Sequence, residues 1–396
     1  MVCVAERSPA RLAAWGAGAL AVALVHNRLW ATPNLAFFTA VSKNLGRNPF
    51  GNGFDGDYLL TNVSGPAIAR LLGQTEPHQY VRLHLLLLLV CLAAVVVAAF
   101  RRFGYEVARL LCVLLAAAPA LTITMQWLGQ PDALTLPLAL GVVVARRRST
   151  VFVLAVLLGL THAEQGIIVA LVAAVVRYVV DEAPIQLELV PLVGGVVTGR
   201  VAVELYLRLN DIVVTRPRTS YLDLGVSGFV EHHLKSHGVI VYALWGPLWI
   251  AIAVTAIRFV RSGASWPPAL RRSWMLLGAT SVVAVVPMLA TLDETRVYSL
   301  TTAPLLVGAA VLSRRTLEII PDTRLSGTDV TTRRVAVGVL AALLAVSPGL
   351  FTAGETYVSY DLPPREFARF LVDGHHPGDL TTWLLGPFGF EVPTAK

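Results

Sequence analysis

The sequence predicts an all-α fold, a polytopic bundle of transmembrane helices, on three observations. Of the 396 residues, 55% are hydrophobic and only 14% are charged, against about 25% charged in soluble domains. The apolar residues gather into runs at 83–100, 107–120, 151–160, 239–257 and 335–346 that leave no hydrophilic outer face. Arginines collect at one set of segment ends, while short acidic or polar motifs collect at the other.

The first segment spans residues 12–30, behind Arg7 and Arg11. No small-residue cleavage site stands out, so this is an uncleaved first helix with its N-terminus inside, in preference to a signal peptide. A more polar stretch, 31–80, follows as an outer loop. Within it, Leu35, Phe38, Val41 and Leu45 recur at helical spacing and predict a short helix lying on the membrane surface. Ser64 to Leu72 reads as a second short helix with Pro66 in its first turn. The second segment, 81–100, ends at Arg101 and Arg102. The third, 105–127, ends at Gln130-Pro131-Asp132, and the fourth, 133–145, ends at Arg146, Arg147 and Arg148. Both arginine clusters fall on the side of the N-terminus, as the positive-inside rule requires.

Residues 151–180 read either as one crossing helix or as two half-length helices broken at Thr161-His162-Ala163-Glu164-Gln165-Gly166. The arginines decide. A break puts ten basic residues of the later loops inside and five outside, and a single crossing reverses the two sets. The break is therefore preferred, since irregular backbone at membrane depth is tolerated where it lines a cavity. Further segments follow at 187–207, 239–257, 274–292, 298–312 and 335–346. With both half-helices the count is about eleven. The transmembrane domain then covers 1–350, with outer loops 31–80 and 210–238, and a short extracytoplasmic tail covers 351–396.

Four motifs interrupt the apolar pattern, all toward the outer side. Asp55 and Asp57 stand in Phe54-Asp55-Gly56-Asp57. Carboxylates one residue apart can share a divalent cation such as magnesium or manganese, or divide base and positioning work; the same residues are also ordinary turn formers. Asp132 follows Pro131 as a helix N-terminus would, so capping and ligand contact compete for it. His162, Glu164 and Gln165 lie inside an apolar stretch. A charge there costs roughly 2.5 kcal/mol or more against lipid, which favours a functional, hydroxyl-binding or proton-handling role. Asp293-Glu294-Thr295-Arg296 joins two segments by a tight turn. Arg296 suits a phosphate, with neighbouring carboxylates holding it, and the competing reading is a solvated loop with a local ion pair. Arg200 and Glu204, four apart, can pair on one helix face.

Several classes find no support. The net charge of +7 is spread as lipid anchors and does not indicate nucleic acid. Cys3, Cys91 and Cys112 have no metal-ligand spacing. His232, His233 and His237 lack a fourth zinc ligand and belong to a polar outer loop. No nucleophile elbow, P-loop or dinucleotide fingerprint is present.

Together, Asp55 and Asp57 in the first outer loop, the amphipathic stretch behind segment one, the half-helices around His162 and the outer polar rim resemble the GT-C class of membrane glycosyltransferases. The resemblance implies an inverting transfer of sugar from a polyprenyl-phosphate donor to a glycan or glycolipid acceptor on the outer face of a bacterial plasma membrane. It implies that Asp55 or Asp57 is the general base. The substrate contacts would fall to Asp132, His162, Glu164, Gln165, Asp293, Glu294 and Arg296. A transporter or flippase, with a central polar cavity at His162 and Glu164, is the rival expectation. A membrane acyltransferase using His162 is a third.

Overall fold

The computed structural model describes residues 9–26, 35–51, 57–215, 225–262, 266–289, 294–319, 351–353, 356–358 and 364–374. Expectations for Asp55, Asp293 and the segment at 335–346 lie outside these residues.

Among the described residues the regular structure is helical apart from a two-stranded hairpin, β1 (Phe351–Ala353) and β2 (Thr356–Val358). The helices are α1 (Pro9–His26), α2 (Leu35–Lys43), α3 (Ser64–Leu71), α4 (Pro77–Phe103), α5 (Tyr105–Ala117), α6 (Pro119–Gln126), α7 (Asp132–Val144), α8 (Arg148–Asp181) and α9 (Ile185–Leu209). Then come α10 (Gly225–Trp245), α11 (Leu248–Ser262), α12 (Pro268–Val283), α13 (Val285–Met288), α14 (Glu294–Thr302), α15 (Pro304–Ile319) and α16 (Pro364–Asp373). Among the described residues four helices are long and apolar enough to cross a membrane, or six if each of two bent pairs counts as one span.

Those two pairs correct the straight segments expected at 105–127 and 298–312. The axes of α5 and α6 differ by 59°, and those of α14 and α15 by 49°. The breaks fall at Ala118 and Ala303, each just before a proline. Proline disfavours helical backbone in the residue before it, and Ala118 is extended (φ −81°, ψ 136°).

The decisive element is α8. It is helical on both sides of His162, whose backbone is extended (φ −159°, ψ 86°). Its two ends lie together. The Arg177 Nη1 group donates to the Ala145 carbonyl at 2.7 Å, three residues before α8 begins. Arg177 near its end and Arg148 at its start both pair with Glu188 of α9. A straight helix would separate residues 148 and 177 by ~43 Å, beyond the reach of two side chains meeting on one carboxylate. The helix therefore doubles back at His162, and its tip points into the bundle.

A dense polar knot holds the ends of this hairpin. Arg177, fully buried, pairs with Glu188 and lies 3.6 Å from Asp181. It also donates to the carbonyls of Val142 and Val143. Arg102, at the end of α4, donates to Val143 and Ala145 at 2.7 Å each and pairs with Asp181. Arg314 donates to Phe103, and Arg315 to Val179 and Val180. These guanidinium groups satisfy the terminal carbonyls of α4, α7 and α8 and oppose their dipoles.

Along its length α8 packs closely on α9, because Gly159 meets the backbone of Val196, while Gly195 and Gly199 meet α8. Gly195 and Gly199 form a small-xxx-small pair, which lets two backbones approach where there is no hydrophobic drive. The far end of α9 belongs to the opposite, loop-bearing end of the bundle. There the Gly46 amide donates to the Tyr206 hydroxyl at 3.1 Å.

Candidate functional site

The stretch between α1 and α4 packs on the bundle through α2, the 3-10 turn at Asp57 and α3. Phe50 stacks on Phe37 of α2 with centroids 4.9 Å apart. The Asn48 side chain closes the adjoining turn by bonding the backbone of Phe50 and Gly51. Helix α2 buries Leu35, Phe38 and Val41 inside the bundle, packed on α3 and α4. This corrects the surface-lying helix expected there: both faces of its aromatic pair, Phe37 and Phe38, find protein. A 3-10 turn, Asp57–Thr61, packs on α9, and α3 packs on α8. Gly65 lets α3 approach α4 as well, since a side chain there would collide with Tyr80 and His84 of α4. Asp57 is thus the first residue of a turn seated on α9.

The hairpin tip carries the second group. His162 is buried, and its Nδ1 lies 3.4 Å from the Glu164 carboxylate. The other Glu164 oxygen is 3.5 Å from Arg200, which also pairs with Glu204 at 2.5 Å. The expected Arg200–Glu204 pair is thus one link in a chain that runs His162–Glu164–Arg200–Glu204. Gln165, one residue on, is buried, and neither amide atom has a hydrogen-bond partner among the described residues.

The third group joins two of the remaining motifs. Asp132 is completely buried, 3.3 Å from Arg296, and the guanidinium lies over the Trp127 ring at 4.8 Å. Asp132 also stands in the first turn of α7, as its place after Pro131 leads one to expect. Arg296 lies in a helix and is buried, which corrects the solvated loop expected there, and its ion pair is with the distant Asp132. Glu294, Thr295 and Arg296 form the first turn of α14, and Thr295 and Arg296 are buried. Around the pair, Gln130 Nε2 and Ser299 Oγ are buried without a hydrogen-bond partner among the described residues. An unmade bond costs about 1–3 kcal/mol per buried group, so these atoms and the Gln165 amide mark positions suited to a polar ligand or water.

Helix α14 packs on α6, α7 and α8, so the second and third groups occupy neighbouring elements. Direct bonds join residues within each group. Sequence reasoning does not single out Trp127 as a partner of Arg296, although an aromatic residue five positions before Asp132 is a visible signal. His232, His233 and His237 fall in α10, which corrects the loop expected at 210–238 over its second half. No group of three or more metal-ligating residues occurs among the described residues.

The fold defines a multi-pass helical membrane protein with a polar interior at one end. No protein-family model, curated protein or solved structure matches the chain.

Proposed function

We propose that the protein is an inverting membrane glycosyltransferase of GT-C-like build. It moves a sugar from a polyprenyl-phosphate donor to a glycan or glycolipid acceptor at the outer face. The observation that carries the reading is the seating of the Asp57 turn on α9 and of α3 on α8, the hairpin whose tip bears His162, Glu164 and Gln165. In this reading the arginine-rich end is cytoplasmic, about eleven segments cross or enter the bilayer, and the C-terminal tail lies outside.

The chemistry asks little of the protein. A polyprenyl phosphate is already a good leaving group and needs no acid to protonate it. One carboxylate, Asp55 or Asp57, removes the proton of the acceptor hydroxyl as the hydroxyl oxygen attacks the anomeric carbon from the opposite face. The bond to the phosphate oxygen breaks, and the negative charge leaves with the phosphate. Arg296, oriented by Asp132 and Trp127, stabilises that charge; a divalent cation, if bound, would be held by Asp55 and Asp57 and would supply further positive charge. Gln130, Gln165 and Ser299 supply hydrogen bonds to sugar hydroxyls.

The three interrupted helices, at Ala118, His162 and Ala303, favour one rival, a carrier of the lipid-linked sugar. A radiolabelled polyprenyl-phosphate sugar supplied to membranes containing the protein separates the two. The transferase moves label off the lipid into a new product, whereas a carrier moves the intact lipid across the bilayer and leaves its label in place.

A further inference from the structure

The charged chain at the hairpin tip lies at the surface of the bundle as well as beside its interior. The side chains of Glu164, Arg200 and Glu204 are 45%, 35% and 43% exposed. On the same flank of α9, Val197, Val201 and Leu205 are exposed at four-residue spacing, which is a lipid-facing stripe. Arg200 stands ~18 Å along the helix from Glu188 at the arginine-rich end and ~15 Å from Asn210 at the other. A hydrocarbon core is about 30 Å thick. Three charges, paired with one another, therefore face outward near the middle of a helix of membrane-spanning length, where an ionisable group facing lipid is costly.

We infer that Glu164, Arg200 and Glu204 form a lateral port that takes the uncharged polyhydroxyl headgroup of a membrane lipid. Charge selects this occupant. Two carboxylates around one guanidinium carry a net negative charge and repel a phosphate headgroup. A neutral polyol can donate hydroxyl hydrogens to the carboxylates and accept from the guanidinium. The port also leads inward. At the tip Glu164 is exposed and the next residue, Gln165, is buried, its side-chain amide without a partner among the described residues. Taking this lipid as the sugar acceptor rests on the transferase reading above.

The test is photolabelling of the protein in nanodiscs. One probe is a dihexosyl diacylglycerol with a diazirine beside its headgroup, and the other is phosphatidylglycerol carrying the same group. The port predicts that the dihexosyl probe labels α9 several-fold more than the anionic one. Arg200→Leu/Glu204→Leu, which removes the charges, brings that ratio to about one. Glu204→Gln, which keeps the shape, lowers it. Equal labelling by both probes, or a preference unchanged in both variants, overturns the port. Labelling needs no turnover. Loss of labelling with intact transfer would remove the port alone, and selective labelling with no transfer would remove the transferase reading alone.

Discussion

Replacement of Arg177 by Met is expected to remove most of the folded protein. The guanidinium is buried with Glu188, reaches Asp181, and satisfies carbonyls at the end of α7. Without it, Glu188 stays buried opposite only Arg148, 3.6 Å away and itself half exposed. Breaking a buried pair by removing one partner costs about 3–5 kcal/mol, a large share of the roughly 5–15 kcal/mol that holds a domain together. The effect is not that of a missing surface charge. Arg177→Met/Glu188→Leu should recover much of the loss, because a pair replaced by apolar groups leaves no stranded carboxylate. Thermal unfolding followed by fluorescence size exclusion in detergent reads both variants. A single variant as stable as the parent would show that the knot does not hold the hairpin closed.

The second large effect is expected at Gly199. A side chain there runs into the Val156 carbonyl and lies 2.8 Å from the Leu160 amide nitrogen. These are backbone atoms and cannot rotate away, so Gly199→Leu must push α9 off α8. Overpacking costs about 1–3 kcal/mol in a core that can adjust, and more is expected where two helix backbones collide. Gly194 provides the control. It lies on the same helix five residues earlier, and a Cβ there would meet nothing within 4 Å. Gly194→Leu should therefore unfold near the parent temperature and Gly199→Leu well below it. Equal melting of the two would show that the close approach of α8 and α9 is unimportant.

The parts of this fold that are legible in the sequence are those with a cost in lipid. The break at His162 can be read because polar residues inside an apolar run are expensive, and because the arginine bias agrees with a return of the chain. The half-helix arrangement then places Glu164 near Arg200 without any motif. The polar knot is less legible. In the sequence Arg177 counts only as one more inside charge, since nothing in its local pattern tells a guanidinium capping a neighbouring helix from one facing lipid heads. The pairing of Asp132 with Arg296 is also hidden, because 164 residues separate them and each has an adequate local explanation. Other signals are present but easily passed over. Pro119 and Pro304 each mark the bend that follows an extended or turning alanine, and Gly195 and Gly199 are a small-xxx-small pair. The 3-10 turn of the first loop begins at Asp57, one of the two aspartates expected to carry its chemistry.

The most direct measurement is sugar transfer by the purified protein in liposomes, offered a panel of radiolabelled polyprenyl-phosphate sugars with lipid-extract acceptors. Wild type, Asp55→Asn and Asp57→Asn are compared side by side. Wild type should move label from one donor into a new product. One Asn variant should lose transfer by several orders of magnitude while eluting and melting as the wild type does. Full transfer by both variants would contradict the base assignment, and no transfer of any sugar by folded wild type would contradict the transferase reading itself.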